Sequence, residues 1–178
     1  MQSSQQQIIS QVDQWLQSKK QVWLCTILKT WGSSPRPIGA MMACTIDGEL
    51  VGSVSGGCIE EDFITQLQDG SLKCQFDQEG KPFVVQYGKT EEEQARLRLP
   101  CGGQLHVLLE YIEPCPVNLE IFARLTKDLE GHNKVSRVVN LKNGNISATD
   151  HSNDIAVIIT NGLMAHSLSP MYRLLLLG

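Results

Sequence analysis

The chain has 178 residues, 42% hydrophobic and 19% charged, which suits one domain with a buried core, alone or with the start of a second. Its formal net charge is −4 and it has no Lys/Arg-rich run, so neither nucleic acid nor an anionic membrane is an expected partner. No window reaches the roughly 18 consecutive apolar residues of a membrane span.

The N-terminus "MQSSQQQIISQVDQW" lacks the basic and apolar regions of a secretory signal, so the expected compartment is the cytoplasm. There the six cysteines (Cys25, Cys44, Cys58, Cys74, Cys101 and Cys115) are expected as reduced thiols, and no CxxC pair is present. Ile8, Ile9, Val12, Trp15 and Leu16 have helical spacing. The run Val22–Leu28 predicts a strand buried on both faces. "WGSSPRPIG" reads as a loop, and "AMMACTIDGELVGSV" as a hairpin turning at Asp47-Gly48. Ile59, Phe63 and Leu67 predict a helix that starts near Gly57 or Cys58 and ends at Gly70.

"SLKCQFD" and "PFVVQYG" read as two strands around Glu79-Gly80, which would bury Cys74. "KTEEEQARLRL" is a solvated loop or short helix, "QLHVLLEYIEP" a strand and "VNLEIFARLTKDLEG" an amphipathic helix. "KVSRVVNLKNGNISATD" is a hairpin through Asn143-Gly144, and "IAVIITNGLMAH" is strand, turn, strand. The fold class is therefore α+β (mixed α/β): a mixed sheet with hairpins and flanking helices.

Three loops carry candidate chemistry. In "GSVSGGCIEED", Cys58 stands at a helix start, where the dipole favours a thiolate, although Glu60, Glu61 and Asp62 oppose it. Gly56 and Gly57 lack a Cβ and admit close approach of a ligand. The plain alternative is a small apolar residue under a tight turn. "PCGGQL" repeats the pattern with Cys101, Gly102 and Gly103, which suggests one site with two facing thiols. In "GSSPRP", Ser33, Ser34 and Arg36 are suited to a phosphate or carboxylate, or simply to a rigid surface turn.

"GSSPRPIGAMM", "GSVSGGCIEED" and "LPCGGQLHVLLE", in that order and spacing, resemble the XdhC/CoxI family of maturation factors for xanthine dehydrogenase and related molybdenum hydroxylases. The resemblance implies a chaperone that binds molybdenum cofactor (molybdopterin), protects it during sulfuration and delivers it to the molybdenum-binding subunit of such an enzyme. It also implies a cysteine desulfurase as sulfur source, and a homodimer is compatible with it. Such a factor is an accessory protein rather than an enzyme. Cys58 and Cys101 would then contact the molybdenum or its sulfur. Gly56, Gly57, Gly102 and Gly103 would let the pterin reach the backbone, and Ser33, Ser34 and Arg36 would take its phosphate.

Family members continue into a Rossmann-type domain whose first strand resembles "YRLLLLG". The expected division is therefore residues 1–170 as the family domain and 171–178 as the start of a second. Two other readings remain: a sulfur-transfer enzyme with Cys58 as persulfide carrier, and a small metal-binding module using Cys58, Cys101 and a histidine such as His106.

Overall fold

The computed structural model describes residues 4–32, 36–97, 103–150 and 154–170, with the backbone alone at Cys58. Two antiparallel sheets and their helices form the α+β architecture; the strand pairs among the described residues are all antiparallel, where the sequence suggested a mixed sheet. Sheet A has five strands in the order β3-β2-β1-β5-β4, from β1 (Val22–Trp31), β2 (Met41–Thr45), β3 (Leu50–Gly52), β4 (Phe83–Tyr87) and β5 (Gln104–Ile112). Sheet B has four in the order β7-β6-β9-β8, from β6 (Val135–Asn140), β7 (Ile146–Thr149), β8 (Val157–Thr160) and β9 (Leu163–Leu168).

The unbroken apolar run of β1 follows from its central place. Trp23, Cys25 and Ile27 face a core closed by α2 (Cys58–Gln68) and α3 (Ser71–Glu79), through Ile59, Phe63, Leu67 and Leu72. Val22 and Leu24 face the opposite core, which α1 (Ser4–Gln17) and α5 (Pro116–Glu130) close with Val12, Leu16, Phe122 and Leu125. Farther along that face, Leu28 and Leu108 meet Val139 and Met164 of sheet B. The helical stripe Ile8, Ile9, Val12, Trp15 and Leu16 is buried as its spacing requires.

Two hairpins turn where the sequence places them. Gly48 (φ 85°) follows Asp47 between β2 and β3, and Gly144 (φ 76°) follows Asn143 between β6 and β7. "SLKCQFD" is not a strand but α3. Leu72 and Phe76 lie four residues apart on its core side, Lys73 pairs with Asp77 across one turn, and Gly80 (φ 64°) closes it. Cys74 is therefore exposed, not buried, whereas Cys25 and Cys44 lie in the core with their thiols pushed up by burial, Cys44 to about 12. The charged "KTEEEQARLRL" contains α4 (Glu91–Arg96), capped by Thr90, whose hydroxyl accepts from the Glu93 N–H at 3.1 Å.

Gly52 closes β3 with φ 81°, and a Cβ there would collide with the Met41 carbonyl oxygen and stand 2.6 Å from Ile8 Cδ1. Gly52→Ala is expected to destabilise the protein by about 2 kcal/mol, from backbone strain plus overpacking. Urea unfolding reads this directly, and an unchanged midpoint would count against it. Residues 171–178, the proposed start of a second domain, lie outside the described residues.

Candidate functional site

The topology gathers the three motif loops. Trp31 at the end of β1 pairs with Gln104 at the start of β5, and Gly52 at the end of β3 pairs with Met42 at the start of β2. The described ends of the three motif segments, at Trp31, Gly52 and Gln104, consequently lie at one end of the strands of sheet A.

Glu60 builds the second loop. As the third residue of α2 it folds back, and its Oε1 accepts from Ser53 Oγ (2.7 Å), Val54 N (2.8 Å) and Ser55 N (2.9 Å). Its Oε2 accepts from Gly57 N (2.9 Å) and from the Ser55 hydroxyl. The Gly57 contact is the return arm of a capping box. Ser55 Oγ in turn accepts from Ile59 N at 2.9 Å. Burial alone would raise the Glu60 carboxyl; the Ser55 hydroxyl and N–H and the Ser53 hydroxyl outweigh it and hold the group down at about 2. The carboxylate is therefore ionised and already fills the anion position at the α2 N-terminus. Backbone N–H groups of Val54, Ser55 and Gly57, which a phosphate would otherwise use, are taken.

Gly56 (φ 89°) and Gly57 (φ 141°) have backbone conformations reserved for glycine, and a Cβ on either would meet nothing within 4 Å. Their backbone faces open space, so a ligand can reach it.

The first loop borders a cavity of about 500 Å³ whose walls include Gln5 and Ile8 of α1, Arg36 to Met41, and Gly52 and Ser53 of the second loop. His166 of β9 is wholly buried behind it. A Cβ on Gly39 would stand 3.2 Å from His166 Nε2, and Gln5 Nε2 lies 3.4 Å from the same nitrogen. Burial, then the Arg137 charge, push this imidazole down to about 3, against a hydrogen bond involving the Gly39 backbone. A neutral histidine, a glutamine and a glycine turn thus fix loop 36–40 between α1 and sheet B.

The third loop is held at both ends. Arg96, at the end of α4, is ion-paired to Asp62 of α2, and the next residue, Leu97, is buried in the core. Gly103 is buried directly before β5. The Arg96–Asp62 pair ties the segment leading to Cys101 onto the helix that begins with Cys58.

Of the residues singled out from sequence, Arg36, Gly56, Gly57 and the Cys58 backbone therefore lie on loops at the shared edge, and Gly103 lies where the third loop rejoins the sheet. Ser33, Ser34, Cys101 and Gly102 lie outside the described residues. Glu60 was legible only as a first-turn acid; the Glu at the third helical position was the capping signal that marked it. Among the described residues no three His, Cys, Asp or Glu side chains gather as a metal site, and no helix is long and apolar enough to cross a membrane.

Residues 15–88 match the XdhC and CoxI family, a span that holds the first two motifs and stops short of the third. Over 112 residues the chain is 30% identical to the molybdenum cofactor insertion chaperone PaoD of Escherichia coli (strain K12), a match covering 62% of this chain and 32% of that protein. A crystal structure described as a xanthine dehydrogenase from Bacillus halodurans shares the fold, with TM-score 0.62 and 24% identity over 91% of this chain and 53% of the other. The chain thus spans about a third of the curated relative and about half of the structural one. Over residues 15–88, then, this chain is similar to the XdhC and CoxI family.

Proposed function

We propose that this protein binds molybdenum cofactor as cargo, shelters it during sulfuration and passes it to the molybdenum-binding subunit of a xanthine dehydrogenase-type hydroxylase, with a cysteine desulfurase as sulfur source. The observation that supports the reading is that the strand ends from which the motif segments run lie at one end of sheet A, where Arg36 and Ser53 share the wall of a cavity of about 500 Å³. Molybdopterin is an anionic pterin with a soft, dithiolene-bound metal. Arg36 suits its phosphate, the open backbone at Gly56-Gly57 suits the ring system, and the thiols of Cys58 and Cys101 suit the metal or its sulfur. Because Glu60 occupies the α2 N-terminus, the phosphate falls to the Arg36 loop rather than to that helix.

The test is retention. The protein is incubated with molybdenum cofactor, freed of unbound cofactor by gel filtration, and assayed for bound pterin by its oxidised fluorescence. Wild type is expected to retain cofactor, and Cys58→Ala and Cys101→Ala each to lose most of it while the circular dichroism spectrum is unchanged. Full retention in both variants would remove the thiols from the site. A wild-type chain that gains one sulfur atom in mass on Cys58 would point instead to persulfide transfer.

A further inference from the structure

Trp31 is the residue on which the first loop begins, and it is 46% exposed, whereas Trp15 and Trp23 are 6% and 1% exposed. Its indole is not loose. The His106 ring lies against it with centroids 4.6 Å apart and planes at 61°, an edge-on contact that holds the indole at the sheet edge. His106 pairs across the strands with Lys29. Burial, then the charges of Lys29 and Lys89, push the His106 imidazole down. A half-exposed indole, braced by a neutral imidazole with the exposed Lys29 beside it, thus sits at the strand end on which the first motif segment begins.

A tryptophan left half in water at the end of a strand buried from Val22 to Leu28 offers a large flat apolar area at little cost in side-chain entropy. Lys29, paired directly with His106, favours a planar ring bearing negative charge over a cation, while Lys89 shares its end of α4 with Glu93, whose carboxylate accepts from the Lys89 N–H at 2.9 Å. We infer that Trp31, braced by His106, is a stacking platform for the ring system of a planar anionic heterocycle, with Lys29 supplying the complementary charge. This rests on the cofactor reading, and there the heterocycle is the pterin.

The three tryptophans give the test its readout, because only Trp31 is open to solvent among them. The full chain is titrated with pterin-6-carboxylate while tryptophan emission is followed, and cofactor retention is measured in parallel. Wild type is expected to show quenching of the red-shifted, solvent-exposed part of the emission. Trp31→Ala is expected to weaken pterin binding and cofactor retention about tenfold, the scale of one lost stacking contact. Trp31→Phe should recover much of it, and Lys29→Met should weaken binding more at low salt than at high.

If Trp31→Ala retains cofactor like wild type, the platform is overturned while the cofactor reading stands. If it retains cofactor but no longer activates a molybdenum-free hydroxylase, the platform is again overturned, and Trp31 belongs to the client interface. If wild type retains no cofactor yet pterin-6-carboxylate quenches Trp31, the platform holds and the chaperone reading fails. If neither occurs, both fall.

Discussion

Arg137→Met is expected to lower stability by about 3–5 kcal/mol, the range for breaking a buried ion pair from one side. Arg137 and Glu110 are 0% and 2% exposed. Arg137 Nη1 donates to both Glu110 oxygens at 2.6 and 2.9 Å, and Nη2 donates to Thr26 Oγ1 at 3.3 Å. The three residues come from β6, β5 and β1, so the pair joins sheet B to sheet A. Removing the guanidinium leaves a carboxylate sealed from water with no cation. The pair itself is not the source of stability, because desolvation offsets most of its attraction; the cost lies in orphaning one member. The double variant Arg137→Met/Glu110→Leu is therefore expected to recover most of the loss. Urea unfolding of the two singles and the double decides it. A single variant within about 1 kcal/mol of wild type, or a double as poor as the singles, would contradict this account.

Glu60→Gln is expected to damage both fold and site. The amide keeps the shape, but its NH₂ group replaces the oxygen that accepts from Gly57 N and the Ser55 hydroxyl, leaving donors face to face. A loss of about 2–4 kcal/mol follows, and the proposed cofactor retention should be lost as loop 53–57 gives way. The pH dependence gives a second check. Glu60 is held at about 2 in the fold against an ordinary value of 4.5. Its contribution is therefore complete above about 4.5, where the unfolded carboxyl is also ionised, and is lost as pH falls from there through about 2. In that window wild type should lose on the order of 2 kcal/mol more stability than Glu60→Gln. Parallel acid-titration curves for the two proteins would show that the loop does not depend on this carboxylate.

These two residues also mark where sequence reading stops. Strong local signals were legible: the doubly buried run of β1, the Asp47-Gly48 and Asn143-Gly144 turns, the stripe of α1, and the start of α2 at Cys58. Each depends on neighbours a few positions away. In α3, Leu72, Cys74 and Phe76 alternate as a strand would, while Leu72 and Phe76 also keep helical spacing; over so short a run only packing against Trp23 decides. The Arg137–Glu110 pair lies on separate sheets, and no spacing announces it. At the site, the motifs marked the loops, but the clamp by Glu60 and the burial of His166 behind Gly39 are products of tertiary packing. Sequence alone offered the α2 N-terminus to a ligand; the fold has already given it to Glu60.

The strand order bears on how the protein is made. β1 finds β2, and β2 finds β3, within a short stretch of chain, but the other neighbour of β1 is β5, with Val22 opposite Ile112. Closing that separation is the slow kind of step in folding, since the entropy of a long loop is lost before the ladder forms. During synthesis the helix that begins with Cys58 emerges well before the strand that completes its edge. If the protein carries the cofactor as proposed, a receptacle assembled in this order is absent from half-made or half-folded chains, so loading would double as proof that folding is finished, and reactive cargo would not be committed to a chain still liable to aggregate.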